Sequence, residues 1–368
     1  MKKEIGGNFC EELLKSNQKL QDSKRILCLD SGRSAIRYLL DVLEDKIERV
    51  MLPQYVCESV LIPFIEKGYQ ITYYPVDRRL QLLREDFEQL LETKSPQLVL
   101  VQSYFGFDTL CKDRAFLKEL SRQGIIIVED ITHSLLSDCW QSCADYMVGS
   151  LRKWCAIPDG GILIKTTDKE DGFKLLQQEE NIEFLSLRLA AQEEKRKFLG
   201  GIEDPLSDKN TFISLFDKSE NILNMQNRYY TMSKYTRERI TSVDWRRIAC
   251  RRKENYQVLG EALKDINGIK IIFSHVPDNT VPLYFPVFMD KNKRDLFRSS
   301  MRKNNVLLPV IWPVSSFLIN FLTEEVKTIY DEILAIPCDQ RYTEQDMRFI
   351  ADKIKRRMNG EDIDYEII

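Results

Sequence analysis

Short apolar runs alternate with longer segments of helical periodicity through the first half of the chain. The apolar runs are rich in β-branched residues and predict strands at 25–29, 49–52, 70–76, 97–103, 124–128, 145–148 and 161–165. Helical spacing of apolar residues predicts helices at 34–43, 56–66 and 84–92. Runs that are apolar on both faces and alternate with helices are typical of a mostly parallel sheet covered on both sides. We therefore expect an α/β large domain built on seven strands.

The second half of the chain has a different pattern. Residues 166–230 are rich in charge and weakly periodic, which favours a solvated helical excursion over a binding tail. An arginine-dense helix is expected over 235–263, and its arginines are interpreted mainly as a solvated face. The remaining pattern predicts strands at 268–273 and 281–288 and helices at 294–303 and 343–358.

These patterns divide the chain into two expected domains. Residues 1–235 form the large domain, and residues 236–368 form a smaller C-terminal α+β domain. The pattern leaves open whether the N-terminal segment packs on the small domain.

Composition narrows the class of protein. The 368 residues are 43% hydrophobic and 30% charged with a net charge of −3, which predicts no general attraction to nucleic acid or anionic membrane. No apolar run approaches the roughly 20 residues that a membrane span requires, and the first ten residues lack the apolar core of a secretory signal. We expect a protein that binds neither nucleic acid nor membrane.

The cysteines and histidines indicate a reducing compartment and no metal centre. The nine cysteines are scattered and odd in number, without a Cys-x-x-Cys pair, so reduced thiols in the cytoplasm are favoured over disulfides. Cys139 and Cys143 would need distant partners to complete a zinc site, and the chain has two histidines. We expect no bound metal.

An acid and a lysine follow two of the predicted strands. Asp130 ends the strand that begins near residue 124, and Lys153 lies three residues after Ser150, just past the next strand. In open α/β sheets ligands bind beyond the carboxyl ends of the strands. A lysine amine can condense with the aldehyde of pyridoxal phosphate, a carboxylate can keep its ring nitrogen protonated, and a serine hydroxyl can bind its phosphate. The hypothesis is a pyridoxal phosphate site.

Six stretches of the sequence agree in order with motifs of one enzyme family. They are Ser31-Gly-Arg-Ser-Ala-Ile36, Leu52-Pro-Gln-Tyr55 with Gly68 to Asp77, Val101-Gln-Ser-Tyr-Phe-Gly106, Glu129-Asp-Ile-Thr-His133, Ser150-Leu-Arg-Lys153 with Asp159-Gly-Gly161, and Ile336-Pro-Cys-Asp-Gln-Arg341. On these stretches the chain resembles the DegT/DnrJ/StrS-type sugar aminotransferases, which are fold-type-I enzymes of the aspartate aminotransferase superfamily. The resemblance implies a mostly parallel seven-stranded large domain sandwiched by helices.

The resemblance also implies roles for particular residues. The expected catalytic residues are Lys153 as the cofactor-linked lysine, Asp130 as the partner of the ring nitrogen, and His133 near the ring oxygen or behind Asp130. The expected phosphate ligands are Ser150 and the backbone amides at the start of the helix that follows Ser31, where the helix dipole favours an anion. Those amides belong to Gly32, Arg33 and Ser34.

The chain departs from the family pattern at three places. Arg33 stands where the family has threonine, and its side chain is a stronger anion binder. Cys57 stands where the family places an aromatic residue that stacks on the ring, and Tyr55 is the candidate substitute. The asparagine that reaches the neighbouring subunit's phosphate has no match in Tyr229-Tyr-Thr-Met232, so Asn227 and Arg228 are the nearby candidates.

The resemblance implies an aminotransferase that moves an amino group from glutamate to a nucleotide-linked keto-sugar in surface polysaccharide synthesis. It implies a homodimer with shared active sites. Two alternatives stay open at this point. One is a lyase or decarboxylase that acts on an amino acid with the same cofactor, and the other is a non-catalytic member that binds the cofactor.

Overall fold

The computed structural model describes residues 4–10, 25–138, 143–167, 174, 176–201 and 208–361. Its strands are β1 (Ile26–Leu29), β2 (Arg49–Pro53), β3 (Gln70–Tyr74), β4 (Leu98–Gln102), β5 (Ile126–Asp130), β6 (Tyr146–Ser150), β7 (Gly161–Lys165), β8 (Ile269–Ile271), β9 (Phe285–Met289) and β10 (Ile333–Ile336). Its α-helices are α1 (Gly32–Leu43), α2 (Glu58–Glu66), α3 (Arg84–Lys94), α4 (Arg114–Arg122), α5 (Ile182–Gly200), α6 (Lys209–Met225), α7 (Lys234–Ile240), α8 (Trp245–Leu263), α9 (Lys291–Lys303), α10 (Glu324–Glu332) and α11 (Glu344–Met358).

The first seven strands form one sheet in the order β1-β7-β6-β5-β4-β2-β3. The pairs from β3 across to β6 are parallel, and β7 runs antiparallel to both β6 and β1. Buried apolar side chains pack on both faces of this sheet. The prediction of an α/β fold with a mostly parallel seven-stranded sheet is confirmed.

The loop between β1 and α1 lies tightly against the start of β7. The side chain of Ser31 caps α1 by accepting a hydrogen bond from the Ser34 amide at 3.2 Å. A Cβ on Gly161 would come within 2.1 Å of the Ser31 carbonyl oxygen, so only glycine fits this approach. The contact fixes the start of α1 beside the end of β6.

A second, three-stranded antiparallel sheet in the order β10-β9-β8 forms the centre of the C-terminal part. The N-terminal segment, residues 4–10, joins this part of the molecule. The Ile5 amide donates to the Asn305 carbonyl at 2.9 Å, and the Leu307 amide donates to the Ile5 carbonyl at 2.7 Å. The Gly6 amide also donates to the Tyr342 hydroxyl at 2.6 Å.

The sequence pattern missed or merged several helices. The single helix expected over 235–263 is two helices, because Asp244 accepts a hydrogen bond from the Arg247 amide and starts α8. The short elements α4, α10 and β10 were not predicted. The helical excursion exists as α5 and α6, but it is not purely solvated, since Arg188 and Lys195 are buried in it. Among the described helices, none has the length and apolar character to span a bilayer.

Candidate active site

A cavity of about 280 Å³ lies where β4, β5 and β6 end and the helix after β1 begins. It receives most of the residues that the sequence singled out. The predicted site residues on its wall are Gly32, Arg33, Cys57, Asp130, His133, Ser150 and Lys153. Ser34 and Tyr55 do not line it. The topology therefore brings the predicted acid, serine and lysine to one edge of the sheet.

Asp130 forms a buried wall of this cavity. Its Oδ1 accepts a hydrogen bond from the Thr132 amide at 2.8 Å, which fixes the carboxyl orientation. Burial raises the pKa of Asp130, and the hydrogen bonds from Thr132 and the positive charge of Lys153 oppose that rise. A cationic ring nitrogen is the kind of partner that would hold this carboxyl ionised.

His133 is buried and held between two aromatic rings. Its ring stacks on Trp312 at a centroid distance of 4.9 Å and contacts Phe105 at 5.4 Å. Its Nδ1 accepts a long hydrogen bond of 3.4 Å from the Phe105 amide. Burial, and then the charge of Lys153, lowers the pKa of His133 to about 3, so the imidazole is neutral at physiological pH.

The start of α1 forms a small cradle against the end of β6. A Cβ on Gly32 would lie 3.4 Å from the Gly149 carbonyl oxygen and 3.6 Å from the Ser150 Cβ, which are ordinary contact distances, so the start of α1 packs directly against the end of β6. Unsatisfied amides at a helix start are a standard phosphate site. The Ser34 amide is turned to the Ser31 hydroxyl as the helix cap, which explains why Ser34 does not reach the cavity.

The Arg33 side chain is directed to the C-terminal end of α6. One guanidinium nitrogen donates to the Leu223 carbonyl, and another donates to Asn224 Oδ1 at 2.9 Å. The carbonyl end of a helix attracts a cation. A phosphate would therefore have to compete with the C-terminal end of α6 for the Arg33 side chain that was predicted to bind it. Leu223 and Asn224 themselves line the cavity.

Two further charged side chains on the wall, Arg152 and Glu220, belong to one cluster. Arg152 and Arg188 each donate to Glu220 Oε1 at 2.8 Å. Sequence reasoning gave neither Arg152 nor Glu220 a role. Glu220 lies on α6, which is far from the strand ends in sequence, so nothing in the pattern linked it to Arg152.

Tyr55 cannot stack on a ring bound in this cavity. The side chain is fully buried in a cluster of aromatic rings, with centroid distances of 4.9 Å to Tyr330, 5.3 Å to Trp312 and 5.4 Å to Tyr104. Cys57 does reach the wall, where its thiol lies 3.0 Å from the Ser59 hydroxyl. The aromatic surface on the wall comes instead from Trp312.

Gln102 is a wall residue to which sequence reasoning gave no role. It ends β4 beside Asp130 and is buried, and neither its amide oxygen nor its amide nitrogen is hydrogen-bonded to any residue that the structure describes. The signal in the sequence was a polar residue that closes an otherwise apolar strand. Such an orphaned amide fits a cavity that holds a polar ligand.

The other candidates lie away from this cavity. Asn227 and Arg228 are exposed, and Arg228 pairs with Glu179 at 2.7 Å. Among the described residues no three potential ligands come together as a metal site, and Cys139 lies outside those residues. The arginines of α7 and α8 do not line this cavity, and they do not line a second, neighbouring cavity that is described below.

Comparison by sequence finds no matching protein family and no matching curated protein. Comparison by structure finds many matches. An aminotransferase from Helicobacter pylori, PseC, which takes part in pseudoaminic acid biosynthesis, is 12% identical with a TM-score of 0.66 over 97% of this chain and 100% of its own. The aminotransferase TlmJ from Streptoalloteichus hindustanus is 15% identical with a TM-score of 0.64 over 92% of this chain and 86% of its own.

The protein Spr1654 from Streptococcus pneumoniae has been solved in a PLP-form, with 14% identity and a TM-score of 0.66 over 97% of this chain and 99% of its own. Such low identities establish the fold. The chain has the fold of solved sugar aminotransferases over nearly its whole length, in agreement with the resemblance found in its sequence.

Proposed function

We propose that the chain is an aminotransferase that depends on pyridoxal phosphate. The observation that carries this proposal is the meeting of Lys153 and Asp130 at one cavity, with the glycine cradle of α1 at its other side. A lysine, a buried carboxyl group and an anion cradle are the three parts that this cofactor requires. The orphaned amide of Gln102 supports the same conclusion, because a ligand would complete its hydrogen bonds.

The residues of the cavity fit the cofactor in distinct ways. When bound, pyridoxal phosphate supplies an aldehyde that takes up an amine and a ring that withdraws electrons. Asp130, oriented by the Thr132 amide, would hold the proton on the ring nitrogen. Ser150 and the amides of Gly32 and Arg33 would hold the phosphate. His133, which is neutral, would contact the ring or its oxygen without adding charge.

Lys153 has two tasks in this account. It would hold the cofactor at rest, and as a free amine it would take a proton from the carbon of the amino donor and return it to a neighbouring atom. Its side chain is exposed to the cavity. This exposure lets the amine reach both the cofactor and an entering substrate.

The proposed substrates are glutamate as donor and a nucleotide-linked keto-sugar as acceptor, in surface polysaccharide synthesis. One solved neighbour, DesI, was crystallised with its TDP-sugar product and is 15% identical to this chain with a TM-score of 0.63. That neighbour supports a sugar substrate here by likeness of fold.

The proposed setting is a cytoplasmic homodimer. Three large apolar side chains, Met225, Ile319 and Phe321, are exposed in the single chain, which favours association. Cys57, Cys111 and Cys250 carry free thiols, in keeping with a reducing compartment. Sedimentation equilibrium of the purified protein tests the dimer, and a single species of 43.3 kDa would contradict it.

One experiment tests the proposed reaction against its alternatives. The purified protein is loaded with pyridoxal phosphate and mixed with glutamate. A transaminase releases one equivalent of 2-oxoglutarate and changes the cofactor spectrum. A decarboxylase releases carbon dioxide instead, and a non-catalytic binder leaves the spectrum of the loaded protein unchanged.

A further inference from the structure

A second cavity of about 490 Å³ adjoins the first and shares Arg152 and Lys153 with it. It lies between the large domain and the C-terminal part of the chain. Its other walls come from the N-terminal segment at residues 7–9, from α9, and from the stretch 307–311 that follows α9. A molecule bound there would therefore have Lys153 in the wall of its own cavity.

The wall of this second cavity is cationic. Arg152, Lys153, Arg298 and Arg302 contribute four positive side chains, and no acidic residue is among the described residues that line it. Two carboxylates lie beside this set: Glu220 Oε1 is 2.8 Å from an Arg152 nitrogen, and Asp295 Oδ1 is 3.9 Å from an Arg298 nitrogen and half exposed to water. Neither carboxylate lines the second cavity. The cavity thus favours an anionic occupant over a neutral one.

Arg298 and Arg302 lie one helical turn apart on α9, so they face the same side. The Nε of Arg298 donates to the Leu308 carbonyl at 2.9 Å, and this bond fixes the direction of its side chain. Burial, together with the like charges of Arg294 and Arg302, lowers the pKa of Arg298. Arg302 is exposed, and its guanidinium makes no hydrogen bond or ion pair with any residue that the structure describes.

The buried arginines elsewhere in the molecule differ from Arg302, because each has structural partners. Arg252 donates to the Leu283 carbonyl at 2.9 Å, and Arg294 donates to the Tyr330 carbonyl at 2.7 Å. Arg152 on the shared wall is paired with Glu220. The unpaired guanidinium of Arg302 therefore has its full set of donors available for a ligand.

We propose that this second cavity binds the anionic group of a substrate, a phosphate or a carboxylate, through Arg302 and Arg298. The inference rests on the proposed function, since it is the position beside Lys153 that makes the occupant a substrate. A guanidinium matches either group with two parallel hydrogen bonds. Two such groups on one helix face would orient the substrate with its reacting end towards Lys153.

The test uses Arg302→Met in the full chain, with Arg246→Met as its control. Arg246 is an exposed arginine on α8 that lines neither cavity. Pyrophosphate stands for a phosphate-bearing substrate, and glutarate stands for a dicarboxylate donor. Binding of each probe is measured by calorimetry, with and without pyridoxal phosphate. We expect Arg302→Met to weaken binding of the preferred probe by about tenfold or more, which corresponds to the loss of one charge-assisted hydrogen bond. Arg246→Met should leave the affinity unchanged.

The probe that binds the wild type more tightly shows whether the anionic group of the substrate is a phosphate or a carboxylate. Equal binding by Arg302→Met and Arg246→Met would overturn the proposal, as would a wild type that binds neither probe. Arg298→Met provides a second variant, and its melting temperature shows whether loss of the Leu308 bond affects folding. A wild type that takes up no pyridoxal phosphate would defeat the proposed function, while the comparison of probe binding would still decide the anion site.

Discussion

Gln102 and Asp130 occupy paired positions at the carboxyl ends of the parallel strands β4 and β5. Both are buried, and both line the first cavity. Asp130 is oriented by the Thr132 amide, whereas the amide group of Gln102 has no hydrogen-bond partner in the described part of the chain. A buried polar group left unsatisfied costs about 1–3 kcal/mol. The pair therefore combines a fixed carboxyl group with an amide group that is free to bind a polar ligand in the cavity.

The first prediction concerns Gln102. Gln102→Leu removes an orphaned amide and keeps a similar volume, so we expect the free energy of unfolding of the cofactor-free protein to stay equal or to rise by up to about 1 kcal/mol. The affinity for pyridoxal phosphate should fall. Urea unfolding and a spectroscopic titration measure the two effects.

Gln54 is the matched control for Gln102, because it is also buried but is bonded. Its Oε1 accepts from the Thr323 amide at 3.0 Å and from the Thr323 hydroxyl at 3.1 Å. Gln54→Leu should lower the free energy of unfolding by about 1–3 kcal/mol. A comparable loss in Gln102→Leu would mean that Gln102 already has a partner in the free protein.

The second prediction concerns the charge of Asp130. Asp130→Asn should keep the cofactor bound but slow the half-reaction with glutamate by about 100-fold or more, because the ring nitrogen loses its anionic partner. Burial raises the pKa of Asp130 above its unfolded value, so the ionised group lowers stability as pH rises. The cofactor-free variant should therefore be at least as stable as the wild type at pH 8.

Asp145→Asn is the control for Asp130→Asn. Asp145 is buried too, but it accepts from the Ile127 amide at 2.9 Å at the opposite end of the sheet. Its replacement should leave the single-turnover rate within about twofold of the wild type. Equal rates in wild type and Asp130→Asn would show that Asp130 has no role at the ring.

The third prediction is that His133 remains neutral in mildly acidic solution. Nuclear magnetic resonance of the imidazole nitrogens in the His275→Gln variant reports His133 alone, and no protonation is expected down to pH 5, since burial lowers its pKa to about 3. A midpoint near 6.5 would contradict the burial of this side chain.

The lowered pKa of His133 also makes the free energy of unfolding depend on pH. The folded pKa of His133 lies below the unfolded value of about 6.5, so the unfolded chain takes up the proton first. The contribution of His133 to the free energy of unfolding is complete above pH 6.5 and falls by about 1.4 kcal/mol for each pH unit below it. The difference in free energy of unfolding between wild type and His133→Gln should shrink at that rate as pH falls.

The fourth prediction concerns the cluster of Arg152, Arg188 and Glu220. Glu220→Gln would remove the carboxylate that two largely buried guanidinium groups share, and we expect the free energy of unfolding to fall by about 1–3 kcal/mol. The solvent-exposed edge of Glu220 keeps this loss below that of a fully buried pair. Glu119→Gln, at the exposed pair with Arg122, should change the free energy of unfolding by less than about 0.5 kcal/mol.

The sequence was sufficient to predict the sheet and the residues at the ends of its strands. Each of the seven strands is a short apolar run, and Asp130 and Ser150 end two of them, so parallel topology alone brings them together. The resemblance supplied the expectation that Gly32 binds the cofactor phosphate, and the structure places Gly32 on the cavity wall. These features depend on local pattern and on the order of the motifs.

The parts that were missed depend on contacts between segments remote in sequence. Tyr55 was the candidate ring-stacking residue, but packing against Tyr330 and Trp312 turns it into the core. Arg33 was expected at the phosphate, but α6 ends beside it. Arg302 lies on an ordinary charged helix, and only the fold brings it near Lys153. No periodicity in the sequence predicts these contacts between distant segments.

The central claim is that Lys153 carries pyridoxal phosphate. Borohydride fixes the bound cofactor to the lysine amine that holds it, and mass spectrometry of the digested protein then locates the modified residue. We predict the modification on the peptide that contains Lys153, with none in Lys153→Ala and an unchanged yield in the control Lys234→Ala. Modification of another lysine in the wild type, or of none, would contradict the account.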